Sequence, residues 1–142
     1  MGKKFGTPLQ FCANANAAPS APGAYILKIE LAETVLVTIA HRRPAALPPG
    51  CYFYCGSANG PGGLKSRLAR HMRQGKSARW HVDQLTERGI IAASWIVRNG
   101  HECDLVAMLA PLPMPIPGFG SSDCTRCRSH LLYAPRPSAL AR

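Results

Sequence analysis

Residues 50–73 read GCYFYCGSANGPGGLKSRLARHMR. Cys51 to Cys55 is dense in aromatics and predicts a strand. Asn59-Gly60-Pro61-Gly62-Gly63 ends it with turn residues. The period then changes. From about Leu64 to Gln74, Leu64, Leu68 and Met72 fall on one stripe at 100° per residue, so a helix follows the strand. Arg70 and Arg73 point away from that stripe, whereas Arg67 and His71, one turn apart, border it. An arginine at such a border can aim its rigid fork into a cleft, where it suits a phosphate gaining charge in a transition state. The competing account is a stem lying on the core with its head in water. Gly60 to Gly63 can offer backbone amides and a helix N-terminus to a phosphate. It lacks the GxxxxGKS/T pattern of a nucleotide-binding loop, and a plain strand-to-helix turn accounts for it equally.

Upstream, Gly23 to Leu31 alternates, with Tyr25, Leu27, Ile29 and Leu31 on one side and Lys28 and Glu30 on the other: a half-buried strand. Thr34 to Ala40 is a second strand, and only Ala32-Glu33 separates the two, so a hairpin is expected. Residues 1–22 show no period and read as a loose leader. Downstream, Trp80 to Arg88 reads as a short helix, Ile90 to Val97 as a buried strand, and His101 to Ala110 as a helix. Pro111, Pro113, Pro115 and Pro117 impose an extended segment. Ser129 to Tyr133 is the last candidate strand. The tail 134–142 reads as disordered, leaving one domain over 23–133. The expected class is α/β (α+β): a three-stranded antiparallel central sheet flanked by helices, with one extra strand as a candidate addition.

The 142 residues carry 17 Lys+Arg against 7 Asp+Glu, a net charge of +10, which favours polyanionic partners. Between Glu33 and Asp83 there is no acidic residue, while Arg42, Arg43, Lys65, Arg67, Arg70, Arg73, Lys76 and Arg79 all lie there. Lys65, Arg70, Arg73, Lys76 and Arg79 are therefore the expected nucleic-acid-binding surface; the bland alternative is a solvated basic face. No apolar run approaches the roughly 18 residues of a membrane span, so no membrane partner is expected. No apolar stretch follows Lys3 and Lys4 to make a secretory signal. The six cysteines are irregularly spaced, unlike a secreted disulfide scaffold. A cytoplasmic protein with reduced thiols is expected.

Glu102 precedes Leu105, Val106 and Leu109 at i+3, i+4 and i+7, on the apolar face of its helix. A carboxylate there is costly unless it is paired or binds a cation. A capping box, with Asn99 as cap, explains it as well. Gly23-Ala24-Tyr25 opens the first strand and Tyr54-Cys55-Gly56 closes the third. G-x-Y, then Y-x-G about thirty residues on, an Arg and a His on the next helix, and a Glu on a later one resemble the GIY-YIG nuclease superfamily. The stretch quoted above, with RWHVDQL, ECDLVAML, GFGSSDC and SHLLY, is similar to one branch, the family known as domain of unknown function 123.

That resemblance covers Gly23 to Tyr133. It implies a small nuclease fold cutting a DNA phosphodiester in DNA repair or processing, with one divalent ion, Mg²⁺ or Mn²⁺. Tyr25 would position or deprotonate the attacking water, Tyr54 lie beside it, and Arg67 stabilise the added charge. Glu102 would hold the metal, and His71 assist proton transfer or bind phosphate. A tyrosine serves as base only if its pKa falls from about 10. The chain departs from the wider pattern, since no asparagine follows Asn99; Ser122 or Asp123 is the candidate replacement. DNA is the expected partner with RNA open, and a further protein could supply targeting.

His81 and Asp83 are a candidate accessory pair, although positions two apart do not share a helix face. Trp80 suits a base stack or the core. Cys124-x₂-Cys127-x₂-His130 has metal-like spacing. A structural zinc takes four ligands, and Cys103 is the fourth if it lies nearby. The competing account is one buried and one exposed cysteine. Two other functions fit these features: a non-catalytic nucleic-acid-binding module, and a zinc-stabilised adaptor.

Overall fold

The structure, a computed structural model, describes residues 9–121 and 126–134. In chain order the elements are β1 (Gln10–Cys12), a 3-10 turn (Ala15–Ala17), β2 (Gly23–Leu31), β3 (Val35–Val37), β4 (Ala45–Leu47) and β5 (Gly50–Ala58). Then come α1 (Gly63–Met72), α2 (Asp83–Thr86), β6 (Ile90–Arg98), α3 (Glu102–Leu109) and β7 (Leu131–Ala134). Five strands form one antiparallel sheet in the order β1-β6-β2-β5-β7, and β3 pairs with β4 in a separate two-stranded sheet.

The expected α/β domain with a three-stranded sheet flanked by helices is therefore corrected. Five strands lie in the main sheet, two in the other, and the three helices span 10, 4 and 8 residues. Pairing of both flanks explains the extra strands. Left alone, β5 and β6 would each expose a row of backbone donors and acceptors. β1 covers the edge of β6, with Ser94 Oγ donating to the Cys12 carbonyl at 2.8 Å, and β7 covers the edge of β5. The β2–β3 hairpin does not form, because both edges of β2 are already taken by β5 and β6.

Tyr25, Leu27, Ile29 and Leu31 of β2 share one core with Leu64 and Leu68 of α1 and Leu85 of α2. Ala24 and Ile26 face the other core, with Phe53, Trp95 and the Leu105, Val106 and Leu109 stripe of α3. The sheet is thus covered on both faces over its first half, where the alternation alone suggested one wet face. The residue after Leu31 ends the strand, and Glu30 is exposed.

The leader reading also needs correction over residues 9–22. Cys12 and Ala18 are buried, and Ala21 and Pro19 carbonyls accept from the Leu64 and Lys65 amides at 2.9 and 3.0 Å. This segment caps α1, so those first-turn amides are not available to a phosphate as the glycine-rich turn suggested. Gly63 is required there: at φ +59°, a Cβ would lie 2.4 Å from the Ala21 oxygen. At the far end, Ala134 pairs with Cys51, while 135–142 lie outside the described residues. Residues 111–120 run through successive turns rather than an extended strand, and they bury Ile116 and Phe119.

Candidate active site

β2 and β5 set the two motif tyrosines on one face. Tyr25 stands opposite Gly56 and Leu27 opposite Tyr54, so the tyrosines are diagonal neighbours with ring centroids 6.4 Å apart. The glycine of the Y-x-G triplet has a steric reason. The Tyr25 ring crosses over Gly56, where a Cβ would come within 2.4 Å of the hydroxyl oxygen. Gly23 is similarly confined against the Val97 carbonyl. The pairing of G-x-Y with Y-x-G is thus a packing device that gives Tyr25 its place.

α1 brings His71 onto this pair. Its Nε2 lies 2.6 Å from the Tyr25 hydroxyl, with the His71 ring 6.2 Å from that of Tyr54. Burial pushes the His71 imidazole down to about 3, so the ring is neutral at ordinary pH. Burial also pushes the Tyr25 hydroxyl well above its usual range, Tyr54 adds to this, and the Arg67 guanidinium pulls back. The Tyr54 hydroxyl is raised in the same way. A protonated tyrosine beside a neutral imidazole fixes the direction of the bond: Tyr25 donates and Nε2 accepts. The ring hydrogen then sits on Nδ1, a buried atom with no hydrogen-bond partner among the described residues. Tyr25 is 1% exposed and Tyr54 8%, so Tyr54 is the outer of the two.

Arg67 sits one turn before His71. Its Nη1 donates to the Ser57 carbonyl at 2.8 Å, and its guanidinium carbon lies 4.6 Å from the Trp80 ring centre. Arg70 approaches the same ring at 4.0 Å. Trp80 therefore serves as a platform for two arginines, which neither base stacking nor simple core burial anticipated. The signal was the RWHVDQL run itself, since its aspartate fixes the tryptophan. Asp83 accepts both Arg70 Nη atoms at 2.9 Å, the Arg79 amide at 2.8 Å and the Trp80 amide at 2.9 Å.

That network separates the accessory pair. Asp83 is committed to Arg70 and two amides, while His81 Nδ1 accepts from the Gly120 amide at 2.8 Å. His81 anchors the turn that carries Phe119, whose ring lies 6.2 Å from Tyr54. The basic row is thinned as well. Arg70 is held by Asp83, and Lys76 Nζ donates to Glu87 at 2.8 Å and to the His71 and Arg73 carbonyls. Lys65, Arg73 and Arg79 remain exposed.

Glu102 is the first residue of α3, not the third residue of a capping box. The cap is His101, whose Nδ1 accepts from the Cys103 amide at 3.1 Å, and Asn99 instead makes the left-handed turn at φ +59°. α3 packs on the face of the sheet opposite α1. Even so, the Glu102 charge reaches across the sheet end and contributes to raising Tyr25, Tyr54 and Cys55. The Glu102 side chain is 19% exposed and lies 3.5 Å from His101 Nδ1.

Cys103, Cys127 and His130 converge beside this turn, with their ligand atoms all within 4.8 Å of one another. Cys55, buried on β5, is near enough for Cys127 and Cys103 to raise its thiol further, on top of burial. Ser122, Asp123 and Cys124 lie outside the described residues.

An antiparallel five-stranded sheet with a Tyr–Tyr–His–Arg cluster at one end and a carboxylate at its rim defines a small, mostly β domain with a polar site between sheet and helix. Residues 24–142 match the family model described as domain of unknown function DUF123, and the chain belongs to that family. No curated protein and no solved structure matches it. No helix among the described residues is long and apolar enough to cross a membrane.

Proposed function

We propose that this DUF123 chain is an endonuclease-like protein that hydrolyses DNA phosphodiester bonds with a divalent metal, as its resemblance to the GIY-YIG nucleases implies. The observation that carries this reading is the Tyr25–His71 hydrogen bond at 2.6 Å beside Tyr54. Phosphodiester hydrolysis needs an oriented water, a proton acceptor and a positive group for the charge that develops. Tyr25, His71 and Arg67 are those three types of group. The fall in pKa that a free tyrosinate base needs does not occur, so Tyr25 acts as a relay and never ionises: its oxygen takes a proton from the attacking water as its own passes to His71 Nε2. The leaving oxygen is protonated from solvent. Burial alone disfavours the imidazolium this creates, and the negative phosphate is what makes it affordable. Tyr54, the more exposed tyrosine, orients the phosphate, and Arg67 meets its growing charge.

Glu102 fits an Mg²⁺ or Mn²⁺ site of the open kind. It is a part-exposed carboxylate with no second carboxylate in a ligand cluster among the described residues. Mg²⁺ is commonly held by one or two carboxylates, with water and substrate phosphate completing the shell. Bound there, the ion would polarise the phosphate as a Lewis acid. Lys65, Arg73 and Arg79 supply the exposed charge for the flanking backbone, so binding should weaken with salt.

The test is cleavage of labelled branched, flapped and plain DNA, with a parallel RNA arm, in Mg²⁺ or Mn²⁺ and in EDTA. Metal-dependent cuts that disappear in Glu102→Ala while DNA binding persists support the hydrolase. Salt-sensitive binding without cuts across the whole panel would overturn it in favour of a non-catalytic nucleic-acid-binding module.

A further inference from the structure

The Cys103, Cys127 and His130 side chains make a cluster that the hydrolytic reading does not use. They come from two places far apart in sequence: the first turn of α3, and the segment that leads into β7. Two backbone bonds bring that segment in, His130 N to the Phe119 carbonyl at 2.9 Å and Cys55 N to the His130 carbonyl at 3.0 Å. The three ligand atoms all lie within 4.8 Å of one another.

The imidazole supplies the second observation. His130 is 3% exposed, and its Nε2 is buried without a hydrogen-bond partner among the described residues. A buried ring nitrogen left without a partner is costly. A metal ion bound at that nitrogen would relieve the cost. The donor set also selects the ion. Two sulfurs and one imidazole suit zinc or another thiophilic ion and do not suit Mg²⁺. Zinc bonds of about 2.3 Å to sulfur and 2.0–2.1 Å to nitrogen put tetrahedral ligands roughly 3.6–3.8 Å apart. The cluster needs to contract by only about 1 Å to reach that spacing.

We propose that Cys103, Cys127 and His130 bind one zinc ion, which clips the segment before β7 to the first turn of α3. The fourth tetrahedral position is left for a further donor. Glu102 is the neighbour of Cys103, so the clip holds the turn that carries it. This inference does not rest on the hydrolytic reading: a protein with no nuclease activity would still bind the metal.

The experiment uses the full chain, purified under reducing conditions without a metal-affinity tag. Elemental analysis should find about one zinc per chain. Replacing zinc with Co²⁺ should give the tetrahedral d–d bands and the sulfur-to-cobalt charge-transfer absorption of thiolate ligation. Changing a ligand should cost more than the 10- to 100-fold that outer-shell changes cost, so His130→Ala and Cys127→Ser should each weaken Zn²⁺ binding by at least about a hundredfold. If those variants do not fold, the wild-type Co²⁺ spectrum still decides. A wild-type protein that retains no zinc and gives only the weak spectrum of octahedral, sulfur-free Co²⁺ overturns the proposal. So does unchanged affinity in folded His130→Ala.

Discussion

Replacing Asp83 by alanine should be among the most damaging single changes to this fold. The carboxylate is fully buried and accepts four hydrogen bonds, two from Arg70 and one each from the Arg79 and Trp80 amides. Burial raises its pKa, but the Arg70 guanidinium and the two amides outweigh that and hold it at about 2. Removing one partner of a buried pair costs about 3–5 kcal/mol, because the other charge is stranded. The Arg70 side chain is 16% exposed and can recover some hydration, so the lower end of that range applies. About 3 kcal/mol in a domain of this size corresponds to a fall of about 10 °C in Tm. Urea unfolding of wild type, Asp83→Ala, Arg70→Ala and the double variant, followed by tryptophan fluorescence, measures both the loss and the coupling. Most of the Asp83→Ala loss should disappear when Arg70 is already alanine. A loss below about 1 kcal/mol, the range of exposed ion pairs, with no coupling to Arg70, would refute the buried-network account. It would return Asp83 to candidate chemistry beside His81.

Gly56→Ala puts a Cβ into the Tyr25 hydroxyl, so it should cost about 1–3 kcal/mol and break the Tyr25–His71 bond, seen as a shifted His71 imidazole resonance. Stability should fall with acid. His71 titrates near 3 in the fold and near 6.5 when unfolded, so below pH 6.5 the unfolded chain binds more protons. That contribution is whole above about pH 6.5 and is lost as the pH drops towards 3. It makes the protein about 2 kcal/mol less stable at pH 5 than at pH 7 by denaturant unfolding. Burial lowers His81 and His130 too, in the same direction, and a flat profile would contradict a neutral His71. Deleting residues 1–22 should destabilise the domain by several kcal/mol, since it uncovers β6 and removes the Pro19 and Ala21 caps of α1. Tolerance of that deletion in thermal unfolding would restore the leader reading.

The elements legible in the sequence are those whose signal is local. β2, β5 and β6 each carry an apolar or alternating run, α1 has its i, i+4 stripe, and the structure has them within a residue or two at most ends. What the sequence hid is partnership. β1 is three residues long and has no period of its own; it exists because β6 has an edge to cover. β3 looked like the natural hairpin mate of β2, yet which strand pairs with β2 is decided by competition with β5 and β6. The same holds for charge. An interval without acids between Glu33 and Asp83 reads as one continuous basic surface, but the acids that close it, Asp83 and Glu87, fold back onto Arg70 and Lys76.

That correction sharpens the site. With Arg70 bound to Asp83 and stacked on Trp80, the same tryptophan also meets Arg67, which is held a second time by the Ser57 carbonyl. An arginine fixed by two neutral partners keeps its whole charge for a ligand, whereas one facing a carboxylate has already given it up. The tyrosine triplets were legible as a pattern, and their glycines are explained by the Tyr25 ring. The sequence could not show that Tyr25 is sealed against a neutral His71. A buried phenol donating to a buried imidazole is stable without substrate and becomes useful for proton transfer only when a negative group enters. The test of its chemistry is therefore made with polyanionic substrate present, where the charge that offsets burial is supplied.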